Sequence, residues 1–213
     1  MASWAIHLEL EISYRDAEGI ASCRRIVVKT VQLDADGQPA RLAAHCSLSG
    51  SFQEFLTERI ESCLDLSTGL PVADLPALVR QRYSQSRAGR LDALRRLLGA
   101  ELTVLLSMGQ ADGLFQHREK QLIAAYLCTR QAELQPAEAF SPAQLASQLA
   151  WLERPSAEEF GAAVEVLAAA EAPLRAELFA TCLAVADVRA AREGGEQPAL
   201  DQLEASWFGA DGA

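Results

Sequence analysis

The sequence predicts an α+β protein: a small antiparallel β-barrel or curled sheet, followed by an all-α helical bundle. Three observations predict it. Residues 1–75 hold 12 Val, Ile or Thr and 9 Ala, whereas residues 76–213 hold 10 and 30; β-branched side chains favour strands and Ala favours helix. Short alternating segments separated by turn signals fill the first part. Helix-start signals recur through the second. The predicted organisation is a barrel over 1–73, a short helix and arginine-rich connector over 74–89, and the bundle over 90–213.

The elements follow in order. His7 to Tyr14 alternates as a strand, Asp16-Ala-Glu-Gly19 is a turn, and Cys23 to Leu33 is the return strand. Asp34-Ala-Asp-Gly37 is a second turn, Arg41 to Leu48 a third strand and Ser49-Gly50 a third turn. Ser51 to Leu64 supplies one or two more strands, and Ser67-Thr-Gly-Leu-Pro71 closes the β-rich part. Helices are then expected over Asp74–Arg82, Ala88–Met108 and Phe115–Leu134. Ser141-Pro142 offers an N-cap and a proline at the first helical position, opening a helix to Leu152. Ser156-Ala-Glu-Glu159 is a capping box for a helix to Ala170. Pro173 starts a helix ending near Asp187, and Pro198 starts the last, after the Gly194-Gly195 loop, through Trp207. Trp151, Phe160, Phe179, Trp207 and Phe208 sit at helical spacings and read as core.

Charge narrows the function. The chain carries a formal net charge of −10, which argues against coating duplex nucleic acid, because phosphate neutralisation needs a basic face. The acid is uneven. Residues 76–99 carry six arginines, among them Arg80, Arg82, Arg87 and Arg95, against Asp92 alone. This connector either offsets acidic neighbours or forms a docking surface for an anion. In one continuous helix Arg80, Arg87 and Arg95 would share a face; a break near Ser84-Gln-Ser86 would undo that alignment. No run of about 18 apolar residues exists and no secretory signal is visible, so a cytoplasmic protein without a membrane partner is expected. The five cysteines are odd in number and widely spaced, without zinc spacing; they read as buried small apolar side chains in a reducing compartment. Adjacent strand residues face opposite ways, so His45 and Cys46 form no dyad. No phosphate-loop, dinucleotide, zinc-protease or nucleophile-elbow motif is present.

Two stretches resemble known families. Ile12-Ser-Tyr-Arg-Asp-Ala-Glu-Gly19, Arg25-Ile26, Leu42-Ala-Ala-His-Cys-Ser-Leu48, Phe52-Gln-Glu-Phe-Leu-Thr-Glu-Arg-Ile60, Thr68-Gly69 and Arg82-Tyr83 follow one another in the order and spacing of a WYL domain. Residues of about 6–83 resemble that domain of bacterial regulators. The resemblance implies a Sm-like β-barrel that senses a ligand, often a nucleotide or nucleic acid. The motif's naming triplet falls on Ala40-Arg41-Leu42, and two of its three arginine positions hold Gln53 and Leu56, with Arg59 kept. The winged helix-turn-helix of those regulators has no counterpart before the barrel, so their mode of DNA binding is not expected. The ligand residues expected are Arg59, Tyr14 and Arg41 in this stretch, with Arg80 and Arg87 of the arginine-rich connector. For Arg59, an ion pair with Glu58 or Glu61 is the competing reading.

The second stretch is Met108-Gly-Gln-Ala-Asp-Gly-Leu-Phe-Gln-His-Arg-Glu119. It resembles the motif of the TerB-like helical domain, named for tellurite resistance, over residues of about 90–210. A late counterpart would be Ala186-Asp187, with Val188 in place of glycine and Glu196 and Glu204 beyond. Asp112 and Glu119 lie across a tight turn, where they could hold a hard divalent cation or cap the turn and the next helix. Both readings stand at this point. His117 lies in the same loop in a solvated role.

These observations lead to a non-enzymatic sensing or adaptor protein in a bacterial stress or regulatory pathway. It would bind a small anionic ligand, a nucleotide or a partner protein. The alternative is a divalent-metal-binding, tellurite-resistance-type stress factor.

Overall fold

The structure, a computed structural model, describes residues 3–135, 140–188 and 196–209. It divides into two compact units, Met1–Ala93 and Leu94–Ala213.

The first unit is built on a six-stranded antiparallel sheet: β1 (Ser3–Arg15), β2 (Ala21–Leu33), β3 (Pro39–Cys46), β4 (Ser51–Leu56), β5 (Ile60–Asp65) and β6 (Leu70–Pro71). The strand order is β4-β3-β2-β1-β5-β6, and the sheet is open. Alternation shows best in β1, whose Ile6, Leu8, Leu10, Ile12 and Tyr14 are buried. Each such side chain stabilises the fold by about 1.5–3 kcal/mol.

Two turns are near copies. Asp16 accepts from the backbone N–H of Glu18 and Ile20, and Asp34 from those of Asp36 and Gln38. Gly19 and Gly37 close them at φ +84° and +74°, where a Cβ would be strained.

The sheet curls strongly. Tyr14 on β1 and Phe55 on β4 meet edge to face at 5.1 Å, although β2 and β3 lie between their strands. Flat strands would hold those two about 14 Å apart, three spacings of about 4.8 Å. A three-residue 3-10 turn, Thr57–Arg59, joins β4 to β5 on the far flank. Its Thr57 hydroxyl donates to the carbonyls of Pro39 and Ala40.

The sheet's core also takes Leu75 and Val79 from α1 (Leu75–Gln85). Asp74 caps that helix by accepting from Ala77 N–H at 2.8 Å. The chain breaks at Ser86 before α2 (Arg87–Gly109). Arg80 therefore lies on one helix and Arg87 and Arg95 on the next, and the shared face expected of a continuous helix does not form. The cause is local: Ser86 is extended, with ψ of 162°.

The second unit takes α2 from Leu94 onward and continues with α3 (His117–Leu134), α4 (Pro142–Leu149), α5 (Ala157–Ala168), α6 (Ala172–Asp187) and α7 (Gln197–Phe208). Among the described residues it holds no strand. α2 kinks at Leu98, with φ −125° and ψ 30°. Buried residues recur at helical spacing, as in Leu98, Leu102 and Leu105, or Leu178, Cys182 and Val185. Ser141 and Ser156 cap α4 and α5, each inside a capping box.

Two expectations need correction. Trp151 is not core: it is 80% exposed, because α4 stops at Leu149 and leaves it on a turn. Phe160 and Trp207 are buried, and Trp207 donates its indole N–H to the Val164 carbonyl. Four of the cysteines are buried, but Cys23 is exposed, on the face of β2 opposite Arg24. The Gly194-Gly195 loop lies outside the described residues. Among the described residues no helix is long and apolar enough to cross a membrane.

Candidate functional site

Strand alternation places an arginine on the apolar side of the sheet. Ile26 and Val28 of β2 point into the core; two and four residues back along the same face stand Arg24 and Ser22. The half-buried Arg24 guanidinium lies 5.9 Å from the Tyr14 ring centroid and 5.8 Å from that of Phe55. Its Nε donates to Ser22 Oγ at 3.0 Å and one Nη to Gln53 Oε1 at 3.1 Å. Among the described residues every partner of Arg24 is neutral.

The neighbouring arginines differ. Arg25 faces outward and pairs with Glu11 at 2.8 Å, and Arg15 pairs with Glu61 at 2.6 Å. An aromatic pair attracts a cation without cancelling its charge. The guanidinium fork keeps donors for an oxyanion.

Cys46 completes the group. Burial pushes its thiol up. Hydrogen bonds from the Ser49 backbone and hydroxyl, the Leu48 backbone and Arg24 outweigh that and hold it below its ordinary value. The site is thus a donor-rich end of an otherwise apolar core: guanidinium, amide and hydroxyl over two aromatic faces. Tyr14 adds a hydroxyl that accepts from Leu56 N–H at 3.4 Å.

Of the residues expected from the sequence, the structure brings only Tyr14 into this group. Arg41 is exposed and pairs with Glu54 at 3.4 Å. Arg80 is exposed and donates to Gln38 at 2.5 Å. Arg87 is exposed at the start of α2. Arg59 is half-buried at the end of the 3-10 turn; Glu61, one of its expected partners, is held by Arg15 instead. Arg24 and Gln53 are the residues that the sequence reading missed. The signal for Arg24 was present in the alternation, since an arginine two residues before Ile26 shares its face.

The β5–β6 turn holds a second polar group. Asp65, buried, accepts from the Ser67 hydroxyl at 2.6 Å and from Arg82 at 2.8 Å. Asp65 and Arg82 border a cavity of about 450 Å³ between β6 and α1.

In the second unit, Asp112 and Glu119 are both occupied by backbone. Asp112 accepts from Leu114 N–H at 2.8 Å. Glu119 is fully buried and accepts from Gln116 N–H at 2.7 Å, as the far end of a capping box that opens α3. Among the described residues no three His, Cys, Asp or Glu gather where they could hold a metal ion. Comparison with protein-family models, with curated proteins and with solved structures finds no match for this chain.

Proposed function

We propose that the chain is a non-enzymatic sensing or adaptor protein of a bacterial regulatory or stress pathway, working in the cytoplasm, and that its sheet unit takes a small anionic ligand at Arg24. One observation carries this reading: a half-buried arginine on the core side of a sheet whose described partners are all neutral. A half-buried guanidinium without a counter-charge favours an anion. The two rings beneath it are buried and seat the guanidinium.

Supporting the WYL-like reading is the curl itself. β4 and β5 lie on opposite flanks yet are joined by three residues, as a small, opened Sm-like barrel requires. The paired capping at Asp112 and Glu119 suits a TerB-like bundle. A divalent cation there is the weaker reading, because both carboxylates already accept a backbone N–H.

Titration of the full chain with AMP, ADP and inorganic phosphate, at roughly 0.05 M salt where screening is weak, tests the proposal. Saturable binding should weaken by about tenfold or more in Arg24→Gln and with added salt. Binding indifferent to Arg24→Gln, or none with any of the three, would overturn it.

A further inference from the structure

We propose that a cavity at the start of α5 binds the oxyanion head of a small organic molecule, independently of the sheet site. The cavity, about 310 Å³, is bordered by Ser107 on α2, by Arg154, by Ala157 and Phe160 on α5, and by Pro198 and Gln202 on α7. Among the described residues, Arg154 is the one charged residue on its wall.

Three kinds of hydrogen-bond donor border it. Arg154 gives one N–H to the Ala111 carbonyl at 3.1 Å and has no carboxylate partner among the described residues. The capping box of α5 uses Ser156 N–H, bound to Glu159 at 2.7 Å, and Glu159 N–H, bound to Ser156 Oγ at 3.1 Å. It leaves the N–H of Ala157, on the wall, and that of the next residue, Glu158, which a helix cannot satisfy internally, at the positive end of the helix dipole.

The observation independent of the helix end is Ser107. It is nine-tenths buried, borders the cavity, and among the described residues its hydroxyl has no hydrogen-bond partner. Such a group costs free energy unless a ligand or other partner meets it. Asp112, Glu153, Glu158, Glu159, Asp201 and the buried Glu196 come near in sequence, but none of them is on the cavity wall.

The set of guanidinium, hydroxyl and backbone N–H matches a phosphate or carboxylate. The cavity is larger than a bare oxyanion, and Phe160, Pro155 and Pro198 supply apolar wall for a small organic body. The ligand class is therefore a small phosphate monoester or carboxylate, not a polymer.

The test is amide-resolved titration of the full ¹⁵N-labelled chain with inorganic phosphate, phenyl phosphate and benzoate. Saturable shifts of the Ala157 and Glu158 amides are expected, with phenyl phosphate or benzoate binding more tightly than inorganic phosphate; which of the two does so names the head group. Arg154→Gln should weaken binding by about tenfold and Ser107→Ala by about threefold. Arg24→Gln should leave these shifts unchanged, so that failure here is separate from failure of the sheet site. No saturable shift at Ala157 and Glu158 with any probe, or affinities unmoved by both cavity variants, would overturn the proposal.

Discussion

Trp4 on β1 and Tyr83 on α1 stack face to face, their ring centroids 4.4 Å apart and their planes 9° from parallel. The stack fastens the last turn of α1 to the sheet whose core already holds Leu75 and Val79. Residues 74–85, which composition marks as a connector, thereby pack with the β-rich unit. A double-mutant cycle with Trp4→Leu and Tyr83→Leu should return a coupling of about 0.5–1.5 kcal/mol in urea unfolding. Additive effects would mean that the stack contributes nothing beyond burial.

Asp65 predicts an acid-side loss of stability. The Ser67 hydroxyl and backbone, joined by Arg82, outweigh burial and hold its carboxyl below the ordinary value of 3.8. The folded chain thus binds this proton less tightly than the unfolded chain does. Its stabilisation is complete well above 3.8 and is lost as pH falls through the lower folded value. Asp65→Asn should cost about 1.5–3 kcal/mol at pH 7 and flatten that part of the acid limb. Urea midpoints measured between neutral pH and about pH 2 check both effects.

Glu101 predicts the opposite slope. It is buried, one oxygen stands 3.6 Å from Arg130, and the other has no hydrogen-bond partner among the described residues. Arg130 bonds more closely to Glu133, so it only partly offsets Glu101. Burial pushes the Glu101 carboxyl above its ordinary value of 4.5. The folded chain holds this proton more tightly, so stability declines as pH climbs from 4.5 through the raised value. Glu101→Gln should be at least as stable as the parent at pH 7.5 and lose this decline. A loss of more than about 1 kcal/mol at pH 7.5 would show that the ion pair stabilises the fold.

The two tryptophans of the helical unit should separate cleanly. Trp151→Ser should change stability by no more than about 0.5 kcal/mol, as an exposed turn position does. Trp207→Ala should cost about 3–5 kcal/mol by opening the core between α5 and α7. Equal costs in urea unfolding would contradict the difference in exposure, 80% against 2%.

Local signals made most of the elements legible. The helix starts at Asp74, Ser141 and Ser156 depend on side chains that bond their own next turn. The two Asp-Ala-Asp/Glu-Gly turns close within a few residues. Strand alternation assigned faces for the same reason: the period is set by the backbone alone. Where a helix stops is less local: helical spacing places Trp151 in the core, yet α4 ends two residues before it.

The candidate sites divide on the same line. The sequence by itself determined that Arg24 shares a face with Ile26, and that Asp112 and Glu119 bracket a turn. Only the tertiary structure decided that the curl of the sheet carries Gln53 and Phe55 from β4 to Arg24 on β2. It likewise decided that Arg41 would meet Glu54, and Arg15 would take Glu61. A charge's partners come from strands and helices distant in sequence. Coulomb and hydrogen-bond energies depend on distances of a few ångströms, which no local pattern of residues encodes.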